Sequence, residues 1–286
     1  MTNLSGRHAL VTGGGRGLGK VMAAALVKAG ARVTLTASRS IAQLEQTATE
    51  LNALGGGEAL ALAGDVSDAD VCTRIAERAA AALGPIDILI NNAGRGPLEQ
   101  GDQQDRADLW AVDPERYAAI LMTNIAGPWF MARAIAPGMV ARGFGRIINI
   151  STSRPTMLYA DGGPYGPSKA ALEAQSRIWA KRLAGTGVTV NILLPGGAAD
   201  TDFIAGARGQ RPLADWPSAA GRMAEGEVVG LLPPEVMVAP ILWLASDASS
   251  QCTGERLVGA NWPPYRAIED AFDLSRASHH GAPCVG

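Results

Sequence analysis

Short apolar runs alternate with longer stretches of helical period through the first two thirds of the chain, and that alternation constrains the fold before any motif is considered. Residues 9–11 lead into glycines and a helical stretch over 18–29. Residues 31–37 read as a strand, 41–54 as a helix and 59–63 as a strand, then about 68–83 as a helix and 86–90 as a strand. A helix from about Pro114, a strand over 146–151, a helix from Pro164 and a strand over 188–194 continue the pattern. Alternation of this kind makes parallel strands joined by right-handed crossovers. The predicted fold class is α/β, a single doubly wound parallel sheet with helices on both faces.

Composition narrows the function classes. With 286 residues, 47% of them hydrophobic, the chain can offset its ordering entropy and bury one large core, so disorder is excluded. The formal charge of −2 provides no field for phosphate backbone or anionic lipid, and 5% aromatics are too few for stacking single strands. No nucleic-acid or membrane partner is expected. Cys72, Cys252 and Cys284 are scattered, His8 is placed before the first strand, and His279 and His280 sit in a polar tail, so no metal site is expected. No leader-like or membrane-spanning run is present, and a cytoplasmic protein is expected.

Two segments break the rhythm. Residues 94–113 are polar and long for a strand–helix connection, and residues 198–234 are rich in Gly, Pro and Ala with an isolated Trp216. Both follow strand ends, on the side where open α/β sheets bind ligands. The expected organisation is one catalytic domain over residues 1–266, with 198–234 as a substrate lid, and a tail over 267–286.

After the first strand comes Thr12-Gly13-Gly14-Gly15-Arg16-Gly17-Leu18-Gly19, where glycines let backbone amides approach a phosphate at a helix N-terminus. A P-loop is nearly met by Gly14, Gly19 and Lys20, but Val21 stands where a magnesium-binding hydroxyl belongs. The G-x-G-x-x-G spacing is not met from any starting glycine, whereas Thr-Gly-x-x-x-Gly-x-Gly is met in full. At the end of the second strand a dinucleotide site usually carries an acid for the ribose hydroxyl. Here Ser38 and Arg39 stand there, with Arg16 in the loop, which favours a 2′-phosphate and hence NADP(H) over NAD(H).

Tyr165 and Lys169 are four apart at the start of a helix and therefore share a face. An ammonium beside a phenol favours the phenolate and is expected to draw its pKa from near 10 towards neutrality, where it can give or take a proton.

The glycine spacing and the Tyr-x-x-x-Lys pair resemble the short-chain dehydrogenase/reductase family, and further landmarks fall in order from Thr12 to about Gly259. Asp65-Val66 resembles the adenine contact, and Asn91-Asn92-Ala93-Gly94 the family's Asn-Asn-Ala-Gly motif. Asn124 is similar to its proton-relay asparagine, and Pro195-Gly196 with Thr201 to the segment gripping the nicotinamide carboxamide. The resemblance implies a Rossmann-like domain whose Gly13, Gly15, Arg16, Gly17, Leu18 and Gly19 hold the pyrophosphate. It also implies that Asn92, Ala93 and Gly94 line the cofactor, that Lys169 binds the nicotinamide ribose, and that Tyr165 is the acid/base.

The family's hydroxyl partner usually lies thirteen residues before the tyrosine, at Thr152; Ser153 is the alternative and slightly favoured. The run from Pro195 to Thr201 is one residue longer than usual, and Gly259-Ala260-Asn261-Trp262 replaces the usual Asp-Gly-Gly, a segment that often supports subunit packing. The expected activity is ketone/secondary-alcohol interconversion on a small molecule, apolar or aromatic, by a homodimer or homotetramer. A non-enzymatic NADP-binding sensor or scaffold is the alternative, and it needs the glycine loop but not Tyr, Lys and Asn together.

Overall fold

The computed structural model describes residues 2–96, 108–158, 163–197, 199, 201 and 231–262. Seven strands form one parallel sheet: β1 (His8–Thr12), β2 (Arg32–Ala37), β3 (Glu58–Ala63), β4 (Ile88–Asn91), β5 (Gly145–Ile150), β6 (Val188–Leu194) and β7 (Arg256–Val258). Their order across the sheet is β3-β2-β1-β4-β5-β6-β7. The connecting helices are α1 (Gly17–Lys28), α2 (Ile41–Ala53), α3 (Ala69–Leu83), α4 (Pro114–Leu121), α5 (Gly127–Arg142), α6 (Arg154–Met157), α7 (Tyr165–Arg182) and α8 (Val238–Ala245).

Strand side chains alternate between two apolar layers, as period two requires. Ala9, Val11, Val33, Leu35, Ile88 and Ile90 pack with α1, α2 and α8 on one face. Leu10, Leu89, Ile147, Val188 and Val190 pack with α3 and α5 on the other. Each fully buried Leu or Ile contributes about 1.5–3 kcal/mol, so the sheet is a rigid base for the loops at its carboxyl edge.

Helix starts follow local chemistry. Asp68 caps α3, accepting from the amides of Asp70 and Val71 at 2.8 and 3.0 Å, and Asp113 followed by Pro114 opens α4. Arg16, the N-cap residue of α1, makes no side-chain capping bond and no acid lies in the first turn, so among the described residues the positive end of that helix is available to an anion. Between α4 and α5 the helix widens into a single π-helical turn, Met122–Ala126.

Five features differ from what the sequence predicts. His8 is the first residue of β1 rather than a residue before it, and it is fully buried, with its ring nitrogens 2.7 Å from the Gly84 carbonyl and 2.9 Å from Thr34 Oγ1. β4 begins two residues later than expected, although Asp87 just before it still bonds both neighbours, its amide donating to the His8 carbonyl and its carbonyl accepting the Arg146 amide. β7 was missed: it is three residues long and opens on a charged side chain. α6 and the π-helical turn carry no periodic signal and were also missed. Residues 267–286, and nearly all of 198–234, lie outside the described residues. The latter segment is nevertheless fastened near both ends, since Ala199 and Leu232 form a parallel bridge.

Candidate active site

Chain connections diverge between β1 and β4, so the crevice at their carboxyl ends is the site where a doubly wound sheet takes its ligand. Thr12 and Asn92 join its two walls. Thr12 Oγ1 accepts the amides of Asn92 and Ala93 at 3.0 Å each, and Asn92 Nδ2 donates to the carbonyls of Thr12 and Gly13, also at 3.0 Å. A Cβ on Gly19 would strike the Gly13 carbonyl oxygen and Asn92 Nδ2, so only glycine permits this approach. Gly17, at φ 53°, lies against Thr201, where a Cβ would stand 3.3 Å from that of Thr201. Thr201 is therefore beside the glycine loop despite the extra residue before it.

Tyr165 opens α7 and Lys169 follows one turn later, both buried. The Thr152 side chain is near enough to Tyr165 to favour its phenolate. Ser153 Oγ instead shares a hydrogen bond of 2.8 Å with Thr156 Oγ1. Lys169 Nζ donates to the Ile150 carbonyl at 2.9 Å and lies 5.8 Å from the Tyr165 ring centroid. Asn124 sits in the π-helical turn, a feature often found at functional sites. Its carbonyl accepts the Arg95 amide at 2.8 Å, and its Nδ2 donates to the Arg95 carbonyl and to Ser168 Oγ at 3.0 Å each. A Cβ on Gly94 would stand 3.4 Å from Asn124 Oδ1 and 3.6 Å from Lys169 Nζ, so the Asn-Asn-Ala-Gly turn closes over both.

Burial dominates the electrostatics. It pushes the Tyr165 phenol up to about 12, with the Thr152 side chain pulling the other way, and it pushes Lys169 down to about 8 while the Glu173 carboxylate resists. The expectation that Lys169 draws the phenol towards neutrality is thus corrected. Burial raises the phenol rather than lowering it, which keeps Tyr165 protonated through the neutral range.

The other expected cofactor residues lie around the same edge. Arg16 is exposed ahead of α1, and Ser38 and Arg39 are exposed at the end of β2. Asp65 is raised by burial but lowered more by hydrogen bonds from Ser67 and by the charges of Arg95 and Arg39, which leaves it below the usual carboxylate range. Val66 lies beneath Gly127. Pro195 and Gly196 follow β6, with the Pro195 carbonyl accepting the Ala260 amide at 2.9 Å. Among the described residues no helix is long and apolar enough to cross a membrane, and no three His, Cys, Asp or Glu residues are grouped to hold a metal ion.

Several supporting contacts, and the residues Asn149, Ser176 and Ser168 that make them, are not singled out by the sequence. Asn91 Nδ2 donates to Asn149 Oδ1 at 2.8 Å, and Asn149 Nδ2 to Ser176 Oγ at 2.7 Å, a buried polar ladder below the site. Ser168, between Tyr165 and Lys169, links Asn124 to the Tyr165 carbonyl. Asparagines inside otherwise apolar strands were the available signal for the ladder.

A family model for the short chain dehydrogenases matches residues 7–211. The chain belongs to the short-chain dehydrogenase family. It is accordingly an NAD(P)-dependent dehydrogenase or reductase. It is 34% identical over 212 residues to the ketoacyl reductase HetN of Nostoc sp., covering 74% of this chain and 70% of that protein. It is 33% identical over 256 residues to an L-tagatose-forming galactitol 2-dehydrogenase of Cereibacter sphaeroides, covering 88% and 92%. Among solved structures, a 3-oxoacyl (acyl-carrier-protein) reductase of Agrobacterium tumefaciens with NADP bound superposes with a TM-score of 0.75 at 34% identity, covering 90% of this chain and 94% of that one.

Proposed function

We propose that this short-chain dehydrogenase interconverts a ketone and a secondary alcohol with NADP(H), and that Tyr165 passes the proton. The observation that carries the reading is the convergence of Tyr165, Lys169 and the Thr152 side chain beside the Asn-Asn-Ala-Gly turn, on the same edge as the glycine loop. The uncapped start of α1 and the glycine cradle against Asn92 fit a pyrophosphate, held by the backbone of Gly13, Gly15, Arg16, Gly17, Leu18 and Gly19. Ser38, Arg39 and Arg16 suit a 2′-phosphate, and no carboxylate ends β2 to repel it. Asp65, Val66, Asn92, Ala93, Gly94, Pro195, Gly196 and Thr201 complete the cofactor rim.

When bound, NADP(H) supplies or accepts the hydride at the carbonyl carbon. The chain manages the proton. In reduction the neutral Tyr165 phenol donates its proton to the developing alkoxide, and Thr152 donates a hydrogen bond to the same oxygen. The Lys169 ammonium would hold the nicotinamide ribose, and it stabilises the phenolate left behind. Asn124 fixes the Arg95 backbone and Ser168, and so the walls of a relay to solvent. In oxidation the same groups act in reverse.

The substrate is proposed to be an apolar or aromatic ketone, supported by Met157 and the 78% exposed Leu158 just beyond Thr152. A panel of acetophenone, ethyl acetoacetate and L-tagatose, followed by NADPH absorbance, tests the reaction and ranks the classes. Failure of NADPH-saturated enzyme to turn over any ketone or secondary alcohol would overturn it. A homodimer or homotetramer is supported by exposed Trp129 and Val140 along an apolar groove on α5 with Ala136 and Pro137. Light scattering that gives a monomer at micromolar concentration would reject that part.

A further inference from the structure

Below the reacting group lies an ion pair that the proposed reaction leaves unexplained. Arg256 opens β7, and Glu173 stands one helical turn beyond Lys169 on α7. Both side chains are fully buried, with Arg256 Nε 3.0 and 3.1 Å from the two carboxylate oxygens. Such a pair carries a heavy desolvation cost, and an apolar pair of similar volume is often as stable or more so. Stability alone is therefore a poor reason for it.

Its remaining bonds point to the site. Arg256 Nη2 donates to the Thr152 carbonyl at 2.9 Å, and Ser151 Oγ donates to Glu173 Oε1 at 2.5 Å. With the bond from Lys169 to the Ile150 carbonyl, three successive residues at the end of β5 are each held by α7 or β7. We propose that the Arg256–Glu173 pair is a positioning unit for the reaction: it fixes Thr152 against Tyr165 and holds the Glu173 carboxylate one turn from Lys169. The inference rests on Tyr165, Lys169 and Thr152 being the reacting set.

The charge argument is local. Among the described residues, the groups set against Lys169 are Tyr165 and Glu173 from its own helix; Arg95, in the turn after β4, directs its Nε to Thr123. Of the buried pair, Glu173 is the charge that Lys169 feels, and it favours the ammonium against burial. Removing Arg256 and Glu173 together therefore withdraws support from Lys169 without leaving an unpaired buried charge.

The test is the double variant Glu173→Met with Arg256→Met. Lysine side-chain 15N NMR follows Lys169, and the spectrum is simple because the chain has only four lysines. We expect a folded protein with a melting temperature close to the parent's. Its Lys169 midpoint should fall by about one pH unit, and its turnover of the best ketone among acetophenone, ethyl acetoacetate and L-tagatose should fall about tenfold. The alkaline limb of its pH profile should move down with the lysine. An unchanged midpoint with turnover within about twofold of the parent overturns the proposal, and so does a double variant that cannot fold, which would mark the pair as structural. Tyr165→Phe, measured alongside, separates the two readings. If it retains full turnover, the reacting set is wrong; if it is inactive while the double variant is unimpaired, only the positioning unit is wrong.

Discussion

The side chain of Thr152 is set beside Tyr165 and favours its phenolate, while the adjacent Ser153 places its hydroxyl against Thr156. Thr152→Ala should therefore lower ketone turnover by about 10²-fold, and Ser153→Ala by no more than a few-fold. Steady-state rates of the two variants at saturating NADPH decide between them, and a reversed ranking would reject Thr152 as the carbonyl partner. Tyr165→Phe, which removes the proton itself, should cost at least ~10²-fold while leaving NADPH binding intact by fluorescence titration.

The pH dependence of reduction should report Lys169 rather than Tyr165. With the phenol pushed up to about 12, the proton donor is in place throughout the ordinary range, whereas the ammonium at about 8 is not. Turnover should hold through neutrality and decline above about pH 8 as Lys169 loses its proton. A profile flat to pH 10 would exclude an essential charged lysine.

Stability at mild acidity should depend on His8. Burial lowers its pKa below the ordinary imidazole value of 6.5, aided by Arg32 and opposed by the Gly84 hydrogen bond and Asp87. The folded state thus binds fewer protons than the unfolded chain, so the contribution of neutral His8 is present above pH 6.5 and is lost as pH falls below it. Thermal melts between pH 7.5 and 5.5 should show a falling midpoint, and His8→Gln should flatten that slope. An equally steep slope in the variant would place the titrating group elsewhere.

Cofactor choice should follow charge, and cofactor binding should follow the glycine packing. Arg39→Ala should raise KM for NADPH by about tenfold with little change for NADH, because only the former carries a 2′-phosphate. Equal losses for both cofactors would count against that role. Gly19→Ala should abolish binding of either cofactor, since its methyl has no space against Gly13 and Asn92, whereas Gly15→Ala meets Leu44 at 3.3 Å and should be milder.

Local signals made most of the architecture legible. Leu10 and Leu89 face one layer and Val11 and Ile90 the other, and that alternation was visible as apolar runs between helical stretches. Tyr165, Lys169 and the glycine loop were visible because their spacing is itself the chemistry. Arg256 and Glu173 were not, because they lie 83 positions apart and a charged residue in sequence reads as surface. The Tyr165 pKa direction was misread for a related reason: a neighbouring lysine shows in the sequence, but the burial of both side chains does not. Thr152 and Ser153 could not be separated without the turn that sends one hydroxyl to Tyr165 and the other to Thr156.

The π-helical turn at Met122–Ala126 is in effect a one-residue insertion within a continuous helical run from Pro114 to Arg142. Removing one residue there would restore regular α-helix but rotate everything on one side of the cut by roughly 100°. Asn124 could then no longer face both Arg95 and Ser168. A single-codon deletion there would leave the helix continuous while parting Asn124 from Arg95 and Ser168, so it isolates the register of one turn from the rest of the fold.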